Sequence, residues 1–161
     1  MKKTIMVWLL FLSLLSLTMS GCFLQQYPKK ETIIHYVQDH KEELKQLCDE
    51  GAFLVQFEKE DQAYLKERLG TSTIVKGVCD FTDGQKEKVV FRCGGEGFVG
   101  GSTSVGFYYS ADDQPYGLEF DYRGLSEIST GCFEWKNEDG SERIYTERIC
   151  ENWFYFIMDW Y

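Results

Sequence analysis

Acidic side chains near two predicted loops are the residues best suited to acid–base chemistry. Glu96 lies in a glycine-rich stretch, and Asp112 and Asp113 follow a predicted strand. A glycosidase holds two carboxyl groups a defined distance apart, one as the acid and the other as base or nucleophile. A hydrolase that uses these carboxylates is therefore one hypothesis for the chain. Solvated loop charges are the simpler interpretation, because sequence spacing does not supply that distance.

The chain contains the residues of a phosphate-binding motif without the helix that the motif needs. Residues 95–100 match G-x-G-x-x-G. A dinucleotide site needs this motif between a strand and a helix, so that the helix N-terminus meets the pyrophosphate. Here serines, a threonine and a strand pattern follow, so we predict no cofactor. We expect Gly94–Gly106 to form a flexible loop, which could let a ligand approach the backbone closely.

The histidines and cysteines do not form a recognisable metal motif. His35 and His40, the only histidines, are five residues apart and so do not share one helix face. No CxxC pair exists, and we predict no metal site. Five cysteines remain after Cys22, and they are either disulfide partners or buried free thiols. They are Cys48, Cys79, Cys93, Cys132 and Cys150.

The N-terminus has the composition of an export signal. Lys2 and Lys3 precede an apolar run from Ile5 to Leu17, and small residues follow. The segment Met19-Ser20-Gly21-Cys22 is similar to the lipobox of bacterial lipoproteins. That resemblance implies removal of residues 1–21, a diacylglyceryl group on Cys22, and a lipid-anchored protein on the extracytoplasmic face of the cell membrane. An uncleaved anchor and plain secretion are the alternatives.

The remaining chain divides into a lipidated tether, residues 22–31, and a single globular domain, residues 32–161. Loss of the two signal lysines leaves 15 basic residues against 26 acidic ones, a net charge of −11. Nucleic acid and anionic lipid headgroups need a basic surface, so neither is expected as the primary partner. The charge permits a cationic protein or peptide, although an acidic surface also simply keeps a domain soluble.

Hydrophobic periodicity predicts helices first and strands afterwards. One helical face carries Ile33, Ile34, Val37, Leu44, Leu47 and Cys48, and Gly51 is placed to end that helix. A second helix is predicted from Glu60 to Leu69, with Gly70 as its stop. From Thr73 onward the pattern is that of hairpins. We therefore predict an α+β fold, with one or two N-terminal helices packed on an antiparallel, hairpin-built sheet.

Three hairpins and a final strand are expected. The first turns at Asp83-Gly84, and a two-residue loop there pairs position i with 167 minus i, which places Cys79 and Cys93 on opposite faces. The second joins 104–110 to 116–122, and the third joins 132–137 to 143–150 through Asp139-Gly140. The last strand runs from Trp153 to Trp160.

Aromatic residues are the most unusual feature, at 16% of the chain. Neighbouring residues of a strand point to opposite faces, so adjacent aromatics cannot all enter one core. If helices cover only one face, the other presents Tyr108, Trp153 and Tyr155. Exposed Tyr and Trp are good anchors for a protein partner, so these three residues are candidate binding residues. A sheet covered on both faces is the alternative.

The segments 91–95 and 106–110 and the aromatic end near Asn152-Trp153 resemble uncharacterised small lipoproteins of Gram-positive bacteria. The resemblance covers most of the mature chain and implies no ligand or activity. We expect a membrane-anchored module that binds a protein or peptide at the cell envelope, for example in self-protection, and that is not an enzyme. The alternatives are an envelope hydrolase and a small-molecule-binding domain of cystatin-like or NTF2-like type.

Overall fold

A computed structural model describes residues 27–50, 59–80, 88–98, 101–117 and 124–161. The predicted signal peptide, Cys22 and the tether as far as residue 26 lie outside these ranges. So do Gly51 and the turn predicted at Asp83-Gly84.

Two helices precede the sheet. Helix α1 spans Lys30–Glu50 and α2 spans Lys59–Leu69. The apolar stripe predicted for α1 is confirmed at Ile33, Val37, Leu44, Leu47 and Cys48, which are buried, whereas Ile34 is half-buried. Lys30 and Glu31, predicted as the end of the tether, form the first turn of α1. Helix α2 ends at the predicted stop, where Gly70 has a φ of 81° that favours glycine.

Seven strands form one antiparallel sheet, which confirms the α+β class. The sheet order is β1-β2-β3-β7-β6-β5-β4. It consists of two meanders, β1 to β3 and β4 to β7, joined where β3 pairs with β7. The strands are β1 (Gly77–Asp80), β2 (Lys88–Phe98), β3 (Gly101–Ser110), β4 (Ser126–Ser129), β5 (Cys132–Lys136), β6 (Glu142–Cys150) and β7 (Trp153–Trp160).

One predicted hairpin is wrong and another is shifted. Strand β3 pairs with β2 on one edge and β7 on the other, so it has no edge left for a strand at 116–122. In the first hairpin Val78 pairs with Phe91 instead of Val89, a shift of two residues that keeps each side chain on its predicted face. Cys79 pairs with Val90, and its side chain lies outside the described part. The third hairpin and the last strand are confirmed.

The flexible loop expected between Gly94 and Gly106 is instead a β-hairpin. Gly94 to Phe98 continue β2, and Gly101 to Gly106 begin β3. A Cβ on Gly106 would lie 2.1 Å from the Phe91 carbonyl oxygen, and one on Gly95 would lie 2.3 Å from that of Thr103. The glycines are therefore required for close backbone approach between the strands, and not for loop mobility.

Both faces of the sheet carry an apolar cluster. The helix face lies under α1 and α2, and its strand residues include Phe91, Phe107 and Trp153. The opposite side, called the outer face below, has its own cluster. Within the described ranges neither helix contributes a residue to that cluster. Its buried members are Val90, Tyr108, Ile144, Phe154, Phe156 and Met158.

Candidate binding face

The outer face is covered by partly exposed side chains rather than by a helix. Tyr116 and Leu125 pack on it from the connection between β3 and β4, and Trp135 and Trp160 pack on it from β5 and β7. Trp135 pairs with Ile144 and Ile144 pairs with Met158, two residues from the Glu142–Trp160 pair. Both tryptophans thus lie on the outer face, where they keep partial solvent access.

Tyr108 is fully buried on the outer face, near the end of β3. Its ring stacks on Phe154 with centroids 5.1 Å apart and meets Tyr116 edge-on at 4.9 Å. Its hydroxyl lies 2.9 Å from Thr146 Oγ1 and accepts a hydrogen bond of 3.2 Å from the Tyr116 backbone N–H. Burial raises the pKa of Tyr108 well above its usual range, so the phenol stays neutral. Tyr108 therefore joins the sheet to the connection that crosses it.

Residues 111–117, called the strap below, are fixed to the turn between β6 and β7. Asp113 has a φ of 55°. Its Oδ1 atom accepts hydrogen bonds from Arg148 Nη1 at 2.5 Å and from the Asn152 backbone N–H at 2.7 Å. The Asn152 side-chain amide donates to the Ser110 carbonyl at 2.8 Å. Ser110 Oγ donates to Asp112 Oδ1 at 2.6 Å. The strap is thus held by several polar contacts at its start and by Tyr116 near its end.

The exposed aromatic anchors predicted from the sequence are wrong. Tyr108 is 0% exposed, Trp153 3% and Tyr155 6%. The predicted alternation is present, but Trp153 and Tyr155 belong to the helix face, where α1 covers them, and Tyr108 lies under the strap. Burial raises the pKa of Tyr155 to about 12. The sheet covered on both faces, which was the alternative, is the observed arrangement.

The three candidate carboxylates do not form an acid–base pair. Glu96 pairs with Thr103 at one end of β3, while Asp112 and Asp113 follow Ser110 at the other end. Seven residues of strand separate these ends by about 23 Å, well beyond the spacing of a glycosidase pair. The side chain of Glu96 lies outside the described part.

Asp112 and Asp113 are structural acceptors. Burial would raise the pKa of Asp112, but hydrogen bonds from Ser110 and the Gln114 N–H bring it below its ordinary value. The Asn152 N–H and then Arg148 lower the pKa of Asp113. A general acid at neutral pH needs a raised pKa, which neither carboxyl has.

Three of the candidate disulfide cysteines, Cys93, Cys132 and Cys150, are free thiols. Cys48 and Cys93 are buried, and Cys132 and Cys150 are partly buried. The bridge alternative is therefore wrong for pairs among Cys93, Cys132 and Cys150. Burial raises the pKa of Cys93 far above its ordinary value, so it behaves as a small apolar core residue. Within the described ranges, no three His, Cys, Asp or Glu side chains group so as to hold a metal ion.

Two polar clusters that connect distant segments were not predicted from the sequence. Arg148 and Asn152 fix the strap, as above. On the helix face, Glu147 Oε2 accepts from Lys30 Nζ at 2.8 Å and from the Tyr145 hydroxyl at 2.5 Å, which fixes the start of α1 to β6. The only local signal was the Glu151-Asn152 pair between two strand patterns, which is typical of a tight turn.

No family model, no curated protein and no solved structure matches the chain. Neither described helix is long and apolar enough to cross a membrane.

Proposed function

We propose that the chain is a lipid-anchored module of the extracytoplasmic membrane surface that binds a protein or peptide through its outer face. The supporting observation is the partly exposed aromatic surface of Trp135 and Trp160 above an apolar cluster. Aromatic side chains are enriched among the residues that contribute most of the binding energy at protein–protein interfaces. The proposed anchor is Cys22, and the proposed signal peptide is residues 1–21.

The geometry favours binding over the two alternatives. A hydrolase needs converging carboxyl groups of different pKa, and the candidates are far apart or tied into the strap. A cystatin-like or NTF2-like pocket would lie between helix and sheet. There, the rings of Phe91 and Phe107 stack with centroids 4.8 Å apart, and Trp153 lies 5.9 Å from each, so side chains occupy this space.

Affinity capture from the organism's own membranes after mild cross-linking tests the binding face. We expect one dominant partner with the unaltered chain and its loss with the Trp135→Ala/Trp160→Ala variant. Tyr161→Ala is the matched control, because Tyr161 is 73% exposed and belongs to neither cluster. A partner captured equally by the tryptophan variant would contradict the assignment of the outer face.

The anchor is tested separately by mass spectrometry of the mature N-terminal peptide. We expect a diacylglyceryl group on Cys22 and release of the Cys22→Ala variant from the membrane fraction. An unmodified N-terminal residue other than Cys22 would show that the chain is secreted or anchored by another route.

A further inference from the structure

The strap places acidic and aromatic groups on a basic end of the outer face. Asp113 meets Arg148 through its carboxylate, and its carbonyl oxygen accepts from Arg148 Nη2 at 3.0 Å. Lys88 Nζ lies 4.1 Å from the centroid of the Tyr116 ring and helps to lower the pKa of Asp112. The strap thus resembles a bound peptide that presents Asp, Asp and Tyr to two cations and a tyrosine.

The charge of this surface differs from that of the whole chain. Strand register places Lys88, Arg92 and Arg148 on the outer face, although the chain carries a net charge of −9. Arg148 also lies over the Phe154 ring at 4.8 Å. Electrostatic interactions fade over about 8 Å at physiological ionic strength, so a bound segment responds mainly to these neighbouring cations.

We propose that the Tyr108–Phe154 end of the outer face recognises an acidic peptide segment that carries an aromatic residue, and that the strap occupies this site as an intramolecular ligand. The proposal rests on the proposed function and adds to it the chemistry of the partner. Arg148 binds a carboxylate of the ligand, Lys88 lies over the face of its aromatic ring, and the ring of Tyr108 packs roughly perpendicular to that ring.

Because the strap is part of the same chain, it competes for the site far better than a free peptide does. A short covalent connection produces an effective concentration on the order of millimolar, so a free segment must bind tightly or meet an opened strap. The site is therefore closed to weak acidic peptides and open to a partner that makes additional contacts, such as those to Trp135 and Trp160.

A strap peptide added in trans tests the proposal. The probe is a fluorescently labelled synthetic peptide of residues 110–117, Ser-Ala-Asp-Asp-Gln-Pro-Tyr-Gly, and its binding to the full-length chain in mild detergent is followed by anisotropy. The Asp113→Ala/Tyr116→Ala variant removes the strap's two main contacts and leaves Arg148, Lys88 and Tyr108 in place. We expect it to bind the probe at least tenfold more tightly than the unaltered chain.

Two controls separate recognition from loosened structure. Adding Arg148→Ala to the opened variant should abolish the gain, because the carboxylate loses its partner. Asp139→Ala alters another turn aspartate, which accepts from the Ser141 N–H at 2.9 Å outside the strap, and should bind the probe no better than the unaltered chain.

No gain in the opened variant, with native near-ultraviolet circular dichroism, would overturn the proposal. If that variant loses its native spectrum, Asp113→Asn, which keeps Tyr116, takes its place. It must then bind the peptide more tightly than the unaltered chain, and Arg148→Ala must remove that gain. The assay needs no natural partner, so an empty capture from membranes would count against the proposed function while a positive peptide result still stood.

Discussion

Replacement of Trp153 by alanine should destabilise the domain severely. Trp153 is 3% exposed, and its ring centroid lies 5.9 Å from those of Phe91 and Phe107 and 5.2 Å from that of Tyr109. Truncation of a buried aromatic residue costs about 4 kcal/mol. Burial of about 200 Å² at about 25 cal/mol per Å² gives about 5 kcal/mol, which agrees. Domains are stable by about 5–15 kcal/mol, so much of the stability is lost.

Urea unfolding of the full-length chain in mild detergent, followed by far-ultraviolet circular dichroism, measures this loss. Trp135→Ala is the matched control, because Trp135 is also a sheet tryptophan but is partly exposed at the outer face. We expect Trp135→Ala to lower the free energy of unfolding by less than half as much as Trp153→Ala does. A loss below about 1 kcal/mol for Trp153→Ala would refute the reasoning, since a surface position is expected to cost no more than that.

Three further results are expected. Gly106→Ala should lower the free energy of unfolding by about 2 kcal/mol or more in the same assay, because its Cβ would overlap the Phe91 carbonyl oxygen; unchanged stability would mean that the strands separate easily. The folded-state pKa of Asp113 is lowered, so its contribution to stability is present above about pH 4 and is lost as the pH falls through the folded value. Asp113→Asn should therefore reduce the loss of unfolding free energy at acidic pH. A stability–pH curve identical to that of the unaltered chain would contradict this role of Asp113. Iodoacetamide at pH 8 should label Cys132 much faster than buried Cys93, as read by peptide mass spectrometry; equal rates would show that the helix face opens freely.

Periodicity was enough to predict the helices and the faces of several strands. In β7, Phe154, Phe156 and Met158 alternate with Trp153 and Tyr155, and the structure separates these sets between the two clusters. The pattern identifies which residues share a face. It does not identify what covers that face, so an exposed second face and a covered one were both consistent with the sequence.

The remaining features depend on contacts between residues far apart in the chain. The pairing of β3 with β7 joins Tyr108 to Phe154, and no local turn signal predicts it. The basic outer face arises only when β2 and β6 bring Lys88 and Arg148 to the same side, whereas net charge is a property of the whole chain. The glycine-rich stretch was misjudged because flexibility and close packing require the same residue.

The central position of β7 has a consequence for biogenesis. β7 is the last of the described strands in chain order, yet it pairs with β3 and β6 in the middle of the sheet. A polypeptide that leaves a ribosome or a translocation channel N-terminus first cannot complete its sheet until residues 153–160 have emerged. Until then β3 and β6 each lack a neighbour, and Tyr108 lacks the Phe154 ring on which it stacks. We expect a chain shortened before Trp153 to leave the edges of β3 and β6 unpaired and open to aggregation.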